Sequence, residues 1–131
     1  MALFLNGKKL SGEPHNYSTD EQVVGTWIDG STLYEKTISF TTPNDSNYTK
    51  QSVGLLTAEI DKVWIVDSFT YKDTIYTSAM PYAYINNTVA DEQFEIFINK
   101  SSTNVTLDYR VGTSLYEALA YITIRYTKSS T

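Results

Sequence analysis

Apolar and polar residues alternate with a period of two along much of this chain. That is the spacing of strands that turn one face toward a core. Val105, Leu107, Tyr109 and Val111 alternate with Thr106, Asp108 and Arg110, the cleanest amphipathic series. Ala118, Ala120, Ile122, Ile124 and Tyr126 form a second, with Leu119, Tyr121, Thr123 and Arg125 on the other face. Tyr34, Lys36, Ile38 and Phe40 alternate against Glu35, Thr37 and Ser39, which predicts a half-buried strand. Phe94, Ile96 and Ile98 alternate with Gln93, Glu95, Phe97 and Asn99. The run from Val63 to Tyr71 is apolar on both faces at its start, as expected of a central strand between two layers. Shorter strands are predicted over residues 51–56 and within residues 1–10, where Leu3 and Leu5 share one face and Phe4 takes the other.

Turn chemistry separates these runs. Asn6-Gly7 and Asp29-Gly30 are strong tight-turn pairs. Residues 11–20 read as loop or linker, residues 41–50 as a loop around Pro43, Asn44 and Asp45, and Glu59 to Lys62 as a turn or edge. Lys72-Asp73-Thr74, Asn86-Asn87-Thr88, residues 99–104 and Gly112-Thr113-Ser114 are further breaks, and Pro81 demotes the middle of residues 75–85 to an edge. Beside the first turn, Trp27 and Ile28 read as apolar anchors, with Trp27 pinning the turn to the core. Ser18 to Glu21 has the composition of a helix start, but Gly25 follows within about one turn. No segment keeps helical spacing. Seven or eight short strands with polar turns predict an all-β, antiparallel, jelly-roll-like sandwich. Residues 63–69 and 118–126 carry large side chains on both faces, an excess that predicts burial between copies in a homo-oligomer.

Composition narrows the function classes. The chain has 131 residues, enough for one domain, and 41% are hydrophobic, which excludes a disordered chain. The net charge is -5 with no basic run, so no nucleic-acid partner is expected. Cysteine is absent, which removes disulfides and thiolate chemistry. The single histidine, His15, lies between Pro14 and Asn16 in a polar segment, a poor mount for a general base. Asp67 and Asp73 flank an aromatic run and Asp108 sits mid-strand, but nothing in the sequence sets two carboxylates across a cleft as glycoside hydrolysis requires. No phosphate-binding loop, zinc-protease or EF-hand spacing occurs. The reading is a non-enzymatic protein without a cofactor or metal. No apolar run reaches the roughly 20 residues of a membrane-spanning helix, and no membrane insertion is expected. The brief apolar start precedes Lys8-Lys9 rather than following a basic stretch, the reverse of a secretion signal. The Asn-X-Ser/Thr triplets at Asn16, Asn47, Asn86, Asn99 and Asn104 follow simply from abundant Asn, Ser and Thr.

One segment points toward recognition. Tyr71, Tyr76, Tyr82 and Tyr84 fall within fourteen residues, among Asp73, Thr74 and Asn86. Rigid aromatic faces beside short polar groups suit a glycan or a protein surface, because a ring stacks and a hydroxyl bonds at little entropic cost. Tyr71, Asp73, Tyr76, Tyr82, Tyr84 and Asn86 are therefore the ligand-binding candidates. Each tyrosine taken alone also fits a half-buried strand position.

A resemblance to a known family rests on the ends of the chain. Residues 16–30 (Asn16-Tyr17-Ser18-Thr19-Asp20-Glu21-Gln22-Val23-Val24-Gly25-Thr26-Trp27-Ile28-Asp29-Gly30), followed by Leu33-Tyr34-Glu35-Lys36-Thr37, resemble the opening motif of small C-terminal domains of phage and prophage tail-fibre or minor structural proteins. Pro43-Asn44, Thr49-Lys50, Ser52-Val53 and Ile60-Asp61-Lys62-Val63 are similar to the block that follows there. Ala120 to Lys128 is similar to the family's terminal strand. Ser31-Thr32 and Gly54-Leu55 depart from its Lys-Pro and His-Gly, and residues 64–115 diverge. The resemblance implies residues 1–15 as an N-terminal strand or attachment segment and residues 16–131 as a β-sandwich head domain, assembled as a homotrimer. It implies a virion tail appendage, made in the bacterial cytoplasm and released on lysis, that binds a glycan or protein at the bacterial surface. A purely structural virion module, for capsid decoration or fibre trimerisation, is the alternative. No catalytic residue carries over.

Overall fold

A computed structural model describes residues 4–5, 8–9, 15–78, 80–81 and 90–129. Strands β1 (Phe4–Leu5) and β2 (Lys8–Lys9) pair antiparallel. Then follow β3 (Gln22–Thr26), β4 (Thr32–Thr41), β5 (Thr49–Leu56), β6 (Ile60–Lys72), β7 (Ile75–Thr77), β8 (Met80–Pro81), β9 (Phe94–Lys100), β10 (Asn104–Val111) and β11 (Leu119–Lys128). The only helical turns among the described residues are the 3₁₀ turns Thr57–Glu59 and Thr113–Leu115. The expected breaks at Asn6-Gly7 and Asn86 to Thr88, and the faces assigned to Leu3, Phe4 and Leu5, lie outside the described residues or side chains.

Two sheets form a sandwich. One has the strand order β3-β4-β11-β6-β7 and the other β5-β10-β9-β8. All pairings are antiparallel except the two-residue parallel contact of β8 with β9, where Pro81 sits on an edge strand that does not need its missing N–H. The inward residues of the predicted series meet between the sheets. Ile38, Phe40, Ala120, Ile122, Ile124 and Tyr126 from one face Val53, Ile96, Val105, Leu107 and Tyr109 from the other. Phe40 and Tyr109 touch across the gap with ring centroids 4.8 Å apart. Burying each such side chain stabilises by about 1.5–3 kcal/mol before conformational entropy is set against it.

The chain passes between sheets after β4, β5, β7 and β10. The last crossover is fastened by Thr42, whose hydroxyl donates to Leu115 O at 2.6 Å and accepts from Ala118 N at 2.8 Å. Gly112 is required there by close approach, since a Cβ would lie 1.9 Å from the Ala90 carbonyl oxygen.

Several expectations are corrected. The Asp29-Gly30 turn forms: Gly30 N donates to Trp27 O at 2.9 Å, Asp29 Oδ1 accepts from Ser31 N, and Gly30 takes φ +88. Its anchors do not behave as expected, however. Ile28 is 89% exposed, and Trp27 packs on Trp64, at 4.8 Å between ring centroids, outside the core cluster. Of the turn or edge expected over Glu59 to Lys62, only Glu59 lies in a turn, at the end of Thr57–Glu59; Ile60 begins β6 and is buried. The predicted strand at 51–56 starts earlier, at Thr49.

The apolar-on-both-faces reading of β6 has a specific cause. Opposite β11, Asp67 pairs with Thr123 but Ile65 with Ile124, so Val66 is an extra residue. This bulge resets the alternation. It leaves Val66 exposed, returns Ile65 to the core and turns Trp64 to the outer face. The amphipathic strand β10 is also buried on both faces. Its polar face is closed by charge pairing: Arg110 Nε donates to Glu95 Oε2 at 2.7 Å, and Asp108 accepts from Lys50, Thr106 and Asn99.

Candidate functional site

The outer face of the five-stranded sheet carries the densest exposed chemistry among the described residues. Cross-strand register builds it. Tyr76 on β7 lies opposite Tyr71 on β6, and Phe69 on β6 lies opposite Tyr121 on β11. Residues two apart on a strand share a face, so Phe69 and Tyr71 join the two pairs. The result is a continuous run of rings. Centroid separations are 5.2 Å for Tyr76–Tyr71, 6.2 Å for Tyr71–Phe69 and 5.2 Å for Phe69–Tyr121, all near parallel. Tyr76 is 69% exposed and Phe69 40%, values that leave aromatic surface open to a partner.

Beyond Tyr121 the row runs into a pocket of about 210 Å³. Phe69 and Tyr121 form one wall, Tyr17 and Asp67 another, and Thr37 with Thr123 line it from β4 and β11. The two threonine hydroxyls bond each other at 2.8 Å, so the polar atoms beneath the pocket satisfy one another. Tyr17 reaches Asp67 from the segment before β3 and donates its hydroxyl to Asp67 Oδ2 at 2.8 Å. That hydrogen bond, with the repulsion of Asp67 on a phenolate, pushes the Tyr17 phenol above its ordinary value. Asp67 Oδ1 accepts from Ser68 N at 3.0 Å.

A charge cluster borders the pocket and holds Tyr17's segment in place. Glu35, on the outer face of β4, has a side chain only 1% exposed. His15 Nε2 lies 2.6 Å from its Oε1, and Arg125 Nε donates to Oε2 at 2.9 Å. Ser18 O accepts from Thr37 N, and the rings of His15 and Tyr17 meet edge to face. His15 is thus fixed by Glu35, a partner twenty residues along the chain that the sequence neighbourhood of His15 gave no sign of.

Of the candidates drawn from the sequence, the structure brings Tyr71 and Tyr76 together on this face. Asp73 stands apart from the rings, exposed in the two-residue turn between β6 and β7 with φ +56. Tyr82, Tyr84 and Asn86 lie outside the described residues. Phe69, Tyr121, Tyr17 and Asp67 were not among the candidates. The spacing of Phe69 and Tyr71 signals a shared face, whereas Tyr121 and Tyr17 join only through the fold. Among the described residues, no three His, Asp or Glu side chains are grouped to hold a metal ion. Comparison with protein-family models, with curated proteins and with solved structures found no match.

Proposed function

We propose that this chain is a non-enzymatic head domain of a phage or prophage tail fibre that binds a glycan or protein on the bacterial surface. The observation that carries the reading is the row Tyr76–Tyr71–Phe69–Tyr121 on the outer face of the five-stranded sheet, with Tyr76 and Phe69 exposed and the other two half-buried. A β-sandwich that leaves four rings on one outer face, beside a pocket edged by a carboxylate, has the makings of a recognition surface. The family resemblance of residues 16–37 and 120–128 supplies the context. The strand order, with β11 between β4 and β6 and β10 between β5 and β9, supports a jelly-roll-like topology. The virion is the location that goes with this reading. The test is binding of labelled protein to a panel of bacterial strains and to a glycan array. Wild type binds at least one target, and Tyr71→Ala or Tyr76→Ala reduces binding with the fold intact by circular dichroism. Failure to bind any strain or glycan rejects the reading.

A second reading, a structural module for trimerisation or capsid decoration, is favoured by a different observation. The edge strand β3 and its turn expose Val23 (66%) and Ile28 (89%). An edge strand with apolar side chains invites a neighbour. In both readings the chain assembles as a homotrimer. Light scattering then gives a trimer that Val23→Glu with Ile28→Glu dissociates, and a monomer at micromolar concentration contradicts the assembly.

A further inference from the structure

We propose that the pocket between Tyr17, Asp67, Phe69 and Tyr121 is a site for a cationic ammonium group. The proposal rests on the recognition reading above and names the ligand chemistry of that face.

Three aromatic side chains, Tyr17, Phe69 and Tyr121, and one carboxylate, Asp67, surround a volume of about 210 Å³. Aromatic faces attract a cation through their quadrupole, and more strongly where water is excluded. Asp67 stands at the pocket's edge, where Tyr17 donates to its Oδ2 and the Ser68 amide to its Oδ1. The surface lining the pocket is almost wholly apolar, so the aromatic side chains make the contact and Asp67 contributes its negative charge from the edge.

Charge complementarity selects a cation over a neutral hydroxyl ligand. Among the described residues, no basic side chain lines the pocket. Arg125, on the neighbouring part of the outer face, is engaged by Glu35 at 2.9 Å, as is His15 at 2.6 Å. At the Tyr17 hydroxyl the hydrogen bond to Asp67, then the charges of Asp67 and Glu35, outweigh Arg125 and disfavour ionisation. A neutral sugar would find few hydrogen-bonding partners in this apolar lining and would leave the negative charge at its edge unanswered. Thr37 and Thr123 bond each other, so the threonines beneath the pocket make no competing demand on the ligand. Two sources share the chemistry: a quaternary ammonium of choline type, and the primary amine of an amino sugar.

The test is calorimetric or NMR titration of the full chain with matched pairs. Choline is compared with 3,3-dimethylbutan-1-ol, its neutral isostere, and glucosamine with glucose. The preferred ammonium compound binds about tenfold more tightly than its neutral partner, and which pair shows the difference identifies the source. Asp67→Asn removes most of that preference. Tyr121→Ala and, separately, Tyr17→Ala weaken binding, and Lys50→Ala, on the other sheet, leaves it unchanged. Equal binding of each charged compound and its neutral partner, or no binding of any, overturns the proposal. Cell binding that persists while every ammonium probe fails overturns the ammonium site and spares the receptor reading. Ammonium binding by a protein that attaches to no cell supports the site and removes the receptor reading.

Discussion

Arg125 and Glu35 stand directly opposite each other across the β11–β4 pair, and the guanidinium meets a carboxylate that is almost wholly buried. The two side chains are not equivalent. Arg125 is 35% exposed and Glu35 1%. Removing the exposed partner leaves a buried charge with only His15 beside it, whereas removing the buried one leaves a charge that water can reach.

This asymmetry sets the first prediction. Arg125→Ala costs about 3 kcal/mol, and Glu35→Gln costs about 1–2 kcal/mol. Urea unfolding of the two variants measures it. Equal losses would mean that the Glu35 carboxylate is hydrated in the folded protein.

Asp108 governs acid stability on the opposite sheet. Its burial opposes ionisation, but hydrogen bonds from Lys50, Thr106 and Asn99 outweigh that and hold its carboxyl below the ordinary value. A depressed folded value stabilises above the unfolded carboxylate range, about pH 4, and that contribution is lost as pH falls through the folded value. Asp108→Asn therefore lowers stability by about 1–3 kcal/mol at neutral pH and flattens the acid limb of a melting-temperature profile. Lys50→Ala costs about 0–1 kcal/mol, because Lys50 is largely exposed.

At the alkaline end two core phenols dominate. Burial, then the charge of Asp45, pushes Tyr109 up to about 12. Burial, then the hydrogen bond to Glu21, pushes Tyr126 well above its ordinary range. Raised folded values mean stability that is complete below the unfolded phenol value, about pH 10, and lost as pH climbs beyond it. Spectrophotometric titration should show a class of tyrosines ionising late, together with loss of the β circular dichroism signal. Tyr109→Phe should move the loss to higher pH.

The crossover between β10 and β11 tolerates no side chain at Gly112. Gly112→Ala forces the Ala90–Asp91 backbone aside and destabilises by about 1–3 kcal/mol. Thermal unfolding checks this, and an unchanged melting temperature for Gly112→Ala would contradict it.

How much was legible in the sequence follows from the range of each signal. The core faces of β4, β9, β10 and β11 read directly from alternation, because inward residues two apart need no distant partner to reveal them. The Val66 bulge did not, since an inserted residue in an apolar run looks like a strand buried on both faces. The burial of Asp108 and Arg110 was hidden because their counterparts Lys50 and Glu95 lie on other strands. Tyr71 and Tyr76 were found as neighbours because a two-residue turn joins their strands. Tyr121 meets Phe69 only through β6–β11 register, and Tyr17 meets Asp67 fifty residues away. Short-range chemistry was readable, and the half of the site assembled by long-range pairing was not.

The central claim is that the outer face of the five-stranded sheet is the recognition face. The direct measurement is attachment to a bound bacterial strain by single exposed-residue variants of both outer faces, each verified as folded. Phe69→Ala, Tyr76→Ala and Tyr121→Ala are set against Tyr48→Ala, just before β5, and Lys50→Ala on β5 of the other sheet. The account predicts that affinity falls at least about tenfold, about 1.4 kcal/mol, for the first three and stays at wild-type level for the last two. Loss confined to Tyr48→Ala and Lys50→Ala, with the aromatic-row variants binding normally, would contradict it.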